Sequence, residues 1–252
     1  MNATGTGAPA ASSPAGPGAL AYELPGGGRA LFTTRAHGNL STGSGAEHEH
    51  GLRRRAELCE RLGLRWLCSS RQVHGSAVHA IERVDGAAGT PVALDADAHL
   101  TELPGVGAMV LAADCVPVAL GAPGAVAVVH AGWRGLAAGV LEQAVRALRD
   151  RRPGAPVAAI VGPGAGGCCY EVGPEVLAAL GLPAIERRPP PSGLPAAPTR
   201  VDLRAVARER LLGAGVARVE DVGACTICDE RFFSHRREAG RAGRHAAIAW
   251  LS

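Results

Sequence analysis

Lysine is missing from this 252-residue chain: all 26 basic residues are arginine, set against 23 acidic ones and a formal net charge of +3. So small an excess, with no basic block interleaved with aromatics, gives no support to nucleic acid as a partner. The arginine-only usage, in a chain rich in Ala, Gly and Pro, reads as base composition rather than as selection for phosphate binding. No apolar run approaches the roughly 18 residues of a membrane span. A secretory leader is not expected, because residues 1–19 offer neither a basic segment nor a continuous apolar core. All but Met1 and Asn2 of the first 18 residues are Ala, Gly, Pro, Ser or Thr, so residues 1–19 read as a disordered tail. The seven cysteines are odd in number and scattered, unlike a secreted disulfide framework. A cytoplasmic protein is expected, with one α/β domain over 20–252. No repeat recurs at a fixed period.

What is present concentrates around residues 111–136. Two short apolar runs, Met109–Ala112 and Ala125–Val129, have the length and branching of buried strands. Cys115 follows the first and His130 ends the second. Ala-Gly-Trp-Arg-Gly then leads into an amphipathic run through Leu136, Val140, Leu141, Val145 and Leu148. The pattern predicts two adjacent strands, a tight turn and one helix, with Arg134 in the turn and helix N–H groups facing an anion. Taken alone, a cysteine there is a small hydrophobe and a histidine a hydrogen-bonded core residue; their convergence is what points to chemistry.

Further strands are expected at Ala30–Thr34, Trp66–Cys68, Val78–Val84, Val157–Val161, Val216–Val222 and Ala246–Leu251. A helix is expected over 50–62, one opened by Pro174, and one over 203–212 capped by Asp202. His48-Glu-His50 reads as part of a solvated surface loop, and the six prolines of 181–198 as an irregular excursion. Four glycines within 162–167 allow close backbone approach to a ligand, although they match neither a P-loop nor a dinucleotide fingerprint.

His74, Cys115 and His130 each follow a strand-like segment. Two imidazoles and a thiolate suit Zn²⁺, and three protein ligands leave a position for water, the pattern of a catalytic site. Such a water ionises near neutral pH. Cys225-x-x-Cys228 is half a zinc knuckle with no second pair after it, and Cys168 and Cys169 are adjacent, which is poor ligand spacing. These four are expected to be structural or incidental. Asp95 and Asp97 point to one side of an extended segment, where hydrogen-bonding a turn is the ordinary use and spacing alone does not make Asp97 catalytic.

Gln72-Val-His-Gly, Ala113-Asp-Cys-Val-Pro-Val, His130-Ala-Gly-Trp-Arg-Gly-Leu, Gly162-Pro with Cys168-Cys-Tyr-Glu-Val-Gly, and Phe233-Ser with Arg236-Arg-Glu occur in that order. Together they resemble the YfiH-like family, also labelled laccase-domain or multicopper polyphenol oxidase and, more recently, purine nucleoside phosphorylase. The likeness runs from about Leu31 to Leu251. It implies one α/β domain with a mixed β-sheet core flanked by helices, and a metal held at the positions of His74, Cys115 and His130. It further implies phosphorolysis of adenosine, inosine, guanosine and methylthioadenosine, with deamination of adenosine, and it favours Asp97 as a site residue. Some members are linked to peptidoglycan editing. Two departures stand out: Thr34-Arg-Ala-His-Gly-Asn-Leu-Ser41, where the family usually reads Thr-Arg-x-Gly-Gly-Val-Ser, and Arg71, where Asn commonly precedes Gln-Val-His.

Four functions compete. A zinc-dependent purine nucleoside enzyme needs an anion site, for which Arg134 and Arg35 offer paired N–H donors, with purine nucleosides and phosphate as partners. A literal laccase needs many His ligands, and a blue-copper site usually takes an axial Met; nine scattered His and only Met1 and Met109 argue against it, while a single copper on the same three ligands stays open. A cysteine hydrolase would use Cys115 activated by His130, but a zinc-bound cysteine is not free to attack. A non-enzymatic metal protein acting through a partner has no stretch that marks a partner surface.

Overall fold

In the computed structural model, residues 16, 18–43, 45–84, 89–183 and 199–252 are described. The expected tail thus lies almost wholly outside the described residues, as does the proline-rich excursion beyond residue 183.

Two mixed sheets stack face to face. One has five strands in the order β1-β2-β13-β6-β3: β1 (Leu20–Leu24), β2 (Gly28–Phe32), β13 (His245–Leu251), β6 (Val106–Ala112) and β3 (Trp66–Cys68). The other has six, in the order β12-β9-β7-β8-β5-β4: β12 (Arg218–Asp221), β9 (Ala158–Val161), β7 (Val116–Ala122), β8 (Ala125–Ala131), β5 (Ala98–Thr101) and β4 (Val78–Ile81). A two-stranded ribbon joins β10 (Glu171–Val172) to β11 (Thr199–Arg200). The helices are α1 (Ala46–Arg61), α2 (Trp133–Ala137), α3 (Val140–Arg151), α4 (Pro174–Leu180) and α5 (Leu203–Gly213).

The apolar runs lack a polar alternation because both faces of each sheet are covered. In β8, Val126 and Val128 pack into the core between the sheets, while Ala125, Ala127 and Val129 pack with α3 and α5 on the other side. In β13, Ala247, Ala249 and Leu251 face the other sheet, and Ala246, Ile248 and Trp250 face α1. The period of two is thus kept, with apolar partners on both sides. The result is a helix–sheet–sheet–helix sandwich, a mixed α/β domain of the expected class.

Three expectations are corrected. Met109–Ala112 and Ala125–Val129 belong to different sheets: β6 lies in the five-stranded one, and β8 pairs instead with β7, to which the sequence assigned no strand. Pro117, which cannot donate to a ladder, and the small residues after it hide β7 from pattern reading. The run after His130 is two helices, since Gly139 adopts a left-handed φ of 80° and starts α3 afresh. Finally, His48–His50 lie in the first turns of α1, which begins at Ala46, rather than in a loop. Asp202 caps α5 as expected, accepting from the N–H groups of Arg204 and Ala205.

Candidate functional site

The chain leaves β6 at Ala112 and enters β7 at Val116, so residues 113–115 carry it from one sheet to the other. Cys115 sits at that crossing. Antiparallel pairing of β7 with β8 sets Val116 opposite Ala131 and Pro117 opposite His130, which delivers His130 to the same end of the sandwich. The loop after β3 brings the third residue. Gln72 clamps this loop to the end of β6: its amide donates to the Leu111 carbonyl at 2.7 Å and accepts from the Leu111 N–H at 2.8 Å. Two residues on, His74 takes a positive φ of 60°, an uncommon conformation for a non-glycine residue.

The three expected ligands are thereby brought together. One donor atom from each of His74, Cys115 and His130 lies within 4.8 Å of the others, with His74 Nε2 at 3.8 Å from Cys115 Sγ. Gly132 lies against the group; a Cβ there would come within 2.9 Å of both Cys115 Sγ and the His74 ring. His74 is exposed, Cys115 half-buried and His130 buried.

Asp97, just before β5, is fully buried beneath them. Its Oδ2 accepts from the N–H groups of Val73 at 3.1 Å and Gly75 at 2.8 Å, and its Oδ1 from His74 N–H at 3.0 Å and His130 Nδ1 at 2.8 Å. Burial pushes its carboxyl pKa up, but these bonds outweigh it and hold the group ionised, below its ordinary value. Asp97 thereby fixes the His74 loop and the His130 ring together. With Nδ1 engaged, His130 has Nε2 left for Cys115, the arrangement in which a carboxylate orients a metal-binding imidazole. Burial raises the Cys115 thiol, yet His130 and His74 bring it down to about 6. Burial likewise lowers His130, and the Cys115 sulfur and Asp97 overcome this. The favoured state is a thiolate facing an imidazolium.

His74, Cys115 and His130 open onto a cavity of about 490 Å³, a size suited to a small molecule. Its walls include Trp133, Arg134, Tyr170, His235, Arg236 and Arg244. Arg134 lies over the Trp133 ring at 4.2 Å, and Arg236 over Tyr170 at 5.2 Å. Because α2 is only five residues long, any anion here falls to these side chains rather than to a helix terminus. Arg35 is elsewhere. Its guanidinium pairs with Glu238, donates to the Phe232 carbonyl at 2.9 Å and stacks on Phe233 at 4.6 Å, outside the cavity lining. Asp97 too is absent from the lining.

Asp114, next to Cys115 in the chain, ties the site together. At a φ of 84°, its Oδ1 accepts from Thr226 Oγ1 and its Oδ2 from Arg236 N–H, each at 2.7 Å. Its carbonyl accepts from Ala165 N–H at 2.8 Å. It therefore ties the Cys115 turn to both loops that supply the cavity wall. Two other clusters of metal-ligand type occur among the described residues: Cys168, Cys169, Cys225 and Cys228, and the set Cys68, His79 and His99. In the latter, burial holds His99 neutral with a pKa near 3 and pushes the Cys68 thiol up to about 12. His99 Nε2 lies 3.0 Å from Ser70 Oγ, so this set is a buried hydrogen-bonded cluster.

The chain is thus a mixed α/β sandwich with a His/Cys/His cluster at the parting of its sheets. Residues 28–252 match the family described as multi-copper polyphenol oxidoreductase laccase, and the chain belongs to it. Among its relatives is a purine nucleoside phosphorylase of Xylella fastidiosa, 41% identical over 258 residues and covering 94% of each chain. YlmD of Geobacillus stearothermophilus has a crystal structure that superposes with a TM-score of 0.74, at 33% identity over 89% of this chain and 92% of that one. A Neisseria meningitidis protein superposes at 0.76, with 31% identity over 93% and 99%.

Proposed function

We propose that this chain is a zinc-dependent purine nucleoside phosphorylase that also deaminates adenosine. The observation carrying this reading is a soft-donor triad in the wall of a cavity that three arginines also line. The relatives' naming as purine nucleoside phosphorylases supports it.

The donor set fits zinc. Two imidazoles and a thiol already favouring its ionised form are a three-ligand set for that ion, and the space above Gly132 is one that a single Cβ would fill. His74, Cys115 and His130 would hold the metal. When bound, zinc supplies Lewis-acid polarisation of a substrate or water oxygen at the position three ligands leave open. Asp97 keeps the His130 proton on Nδ1, away from the donor nitrogen. Arg134, with Arg236 and Arg244, holds phosphate against the ribose through planar N–H pairs, a role Lys cannot copy in geometry. Trp133 and Tyr170 supply flat apolar surface suited to a purine ring. Arg35 instead holds the 232–238 segment in place. Seven unpaired cysteines are consistent with a reducing, cytoplasmic setting.

Purified protein with inosine and phosphate should yield hypoxanthine and ribose 1-phosphate, while inosine without phosphate stays largely intact. Adenosine alone should give inosine slowly, and polyphenol oxidation should be weak and track added copper. Copper-stoichiometric oxidation with no nucleoside turnover would replace this reading with the oxidase. The thiolate–imidazolium pair favours one rival, Cys115 as a nucleophile. Chelation separates the two: the metal reading loses activity and regains it with zinc, whereas a nucleophilic cysteine survives metal removal.

A further inference from the structure

Four cysteines outside the cavity triad converge from two distant stretches of chain. Cys168 and Cys169 occupy a turn between β9 and β10, and Cys225 and Cys228 a turn between β12 and β13. Backbone bonds hold the turns in register: Gly164 N–H donates to the Ala224 carbonyl at 3.2 Å, and Thr226 N–H to the Gly164 carbonyl at 3.1 Å. The four sulfurs lie within 4.8 Å of one another, with Cys228 Sγ at 3.2 Å from Cys168 Sγ and 2.8 Å from Cys169 Sγ. Gly166 N–H points at Cys225 Sγ from 3.3 Å.

We propose that these four cysteines form a second metal site, a closed all-thiolate zinc centre distinct from the His74/Cys115/His130 set. A tetrahedral zinc with Zn–S bonds of about 2.3 Å needs sulfurs about 3.8 Å apart. The spacings found, from 2.8 Å to within 4.8 Å, bracket that value, so small side-chain rotations reach it. Packing gives no competing reason for the cluster. Unpaired cysteines are among the most buried residue types, yet Cys168 and Cys228 are exposed, and all four are free thiols. A full set of soft donors with no imidazole or carboxylate is the composition of a structural zinc site. Each thiol releases its proton to solvent as the ion binds, and the Gly166 N–H then meets a negative sulfur. Four protein ligands leave no open position, so this site performs no chemistry. It clips together the turn that leads into Tyr170 and the turn that leads to His235 and Arg236, and so sets one wall of the cavity. The proposal does not depend on which reaction the cavity carries.

The test counts zinc by elemental analysis on full-length protein purified without added metal. Wild type should carry about two zinc ions per chain, Cys115→Ser and Cys228→Ser about one each, and the double variant almost none. X-ray absorption on wild type needs no variant to fold. Both sites together present five sulfurs and two nitrogens, whereas the triad alone presents one sulfur and two nitrogens. A sulfur-dominated shell near 2.3 Å supports the site; a nitrogen-dominated shell overturns it. Zinc unchanged by both Cys228→Ser and Cys168→Ser overturns it too. So does non-reducing mass spectrometry that finds these thiols oxidised to disulfides in freshly isolated protein.

Discussion

Replacing Asp97 by asparagine keeps shape and volume and removes the acceptor capacity of one oxygen. The carboxylate serves four donors, two on each oxygen, and an amide can accept on one side only. With its NH2 placed where Oδ2 was, the N–H groups of Val73 and Gly75 lose their acceptor, at about 1–3 kcal/mol each. With its NH2 placed where Oδ1 was, only His74 N–H is orphaned, because His130 can give up its Nδ1 proton and accept there. The second arrangement is cheaper and wins. It costs about 1–3 kcal/mol for the orphan, plus about 1 kcal/mol for each of two bonds that lose charge assistance. A total of about 3–5 kcal/mol should lower the midpoint of thermal unfolding by about 10 °C in a chain of this size. In wild type zinc would displace the Nε2 proton and leave the Nδ1–H donating to Asp97, whereas in the variant the one remaining proton sits on Nε2, the atom that faces Cys115. Zinc affinity should therefore fall by about 10–100-fold, the usual effect of removing a metal ligand's orienting partner. Thermal melts with and without zinc, and competition against a chromogenic chelator, measure both. If the variant melts like wild type and binds zinc within twofold of it, Asp97 does not orient the ligands. Lost turnover in that same variant would mark it as a group acting on substrate.

Arg134→Lys keeps the charge but loses the planar fork, so phosphorolysis should drop by about tenfold or more in kcat/KM for phosphate, with adenosine deamination, which consumes no phosphate, much less affected; equal losses would assign Arg134 to the nucleoside or the fold. Acid should destabilise the protein well above the carboxylate range. Burial lowers His99 and His245 to a pKa of about 3, so between that value and the unfolded value near 6.5 the unfolded chain binds more protons than the folded one. Stability is then fully present above pH 6.5 and is lost on acidification, at up to about 1.4 kcal/mol per pH unit for each histidine. Urea midpoints at pH 7 and pH 5 read this slope; His245→Leu should flatten it, and an unchanged slope would show that His245 does not titrate as described.

Sequence reading reached the triad because each ligand is a soft donor following an apolar run, a pattern that survives without knowledge of the sheet. Which sheet each strand joins was not legible. β6 and β8 look alike as short apolar runs, and only the packing of α1 on one sheet and α3 and α5 on the other tells them apart. Spacing hides the four clustered cysteines, since ligand-pair rules look along the chain, and here the second half of the knuckle precedes the first by 59 residues between Cys169 and Cys228. Arg35 and Arg236 are both arginines in family-like motifs, and charge alone does not say that one is spent on Glu238 while the other faces the cavity. For Asp97, spacing could place the carboxylate but not count its donors.

The three triad side chains differ in how firmly the fold holds them, and for the proposed metal site that would set the route by which a cation enters and leaves. His130 belongs to β8, walled by strands on both edges and by apolar side chains on both faces. Freeing it requires breaking up the sheet, an event as rare as global unfolding. His74 rides on an exposed loop in an uncommon backbone conformation, held by Gln72 and by the Asp97 carboxylate. With zinc bound as proposed, release would begin with the His74 ring swinging outward on its loop, with Cys115 and His130 still in place. Metal exchange at the proposed site would then be a local opening whose rate belongs to residues 72–75, and loading a new ion would need no unfolding of the sandwich.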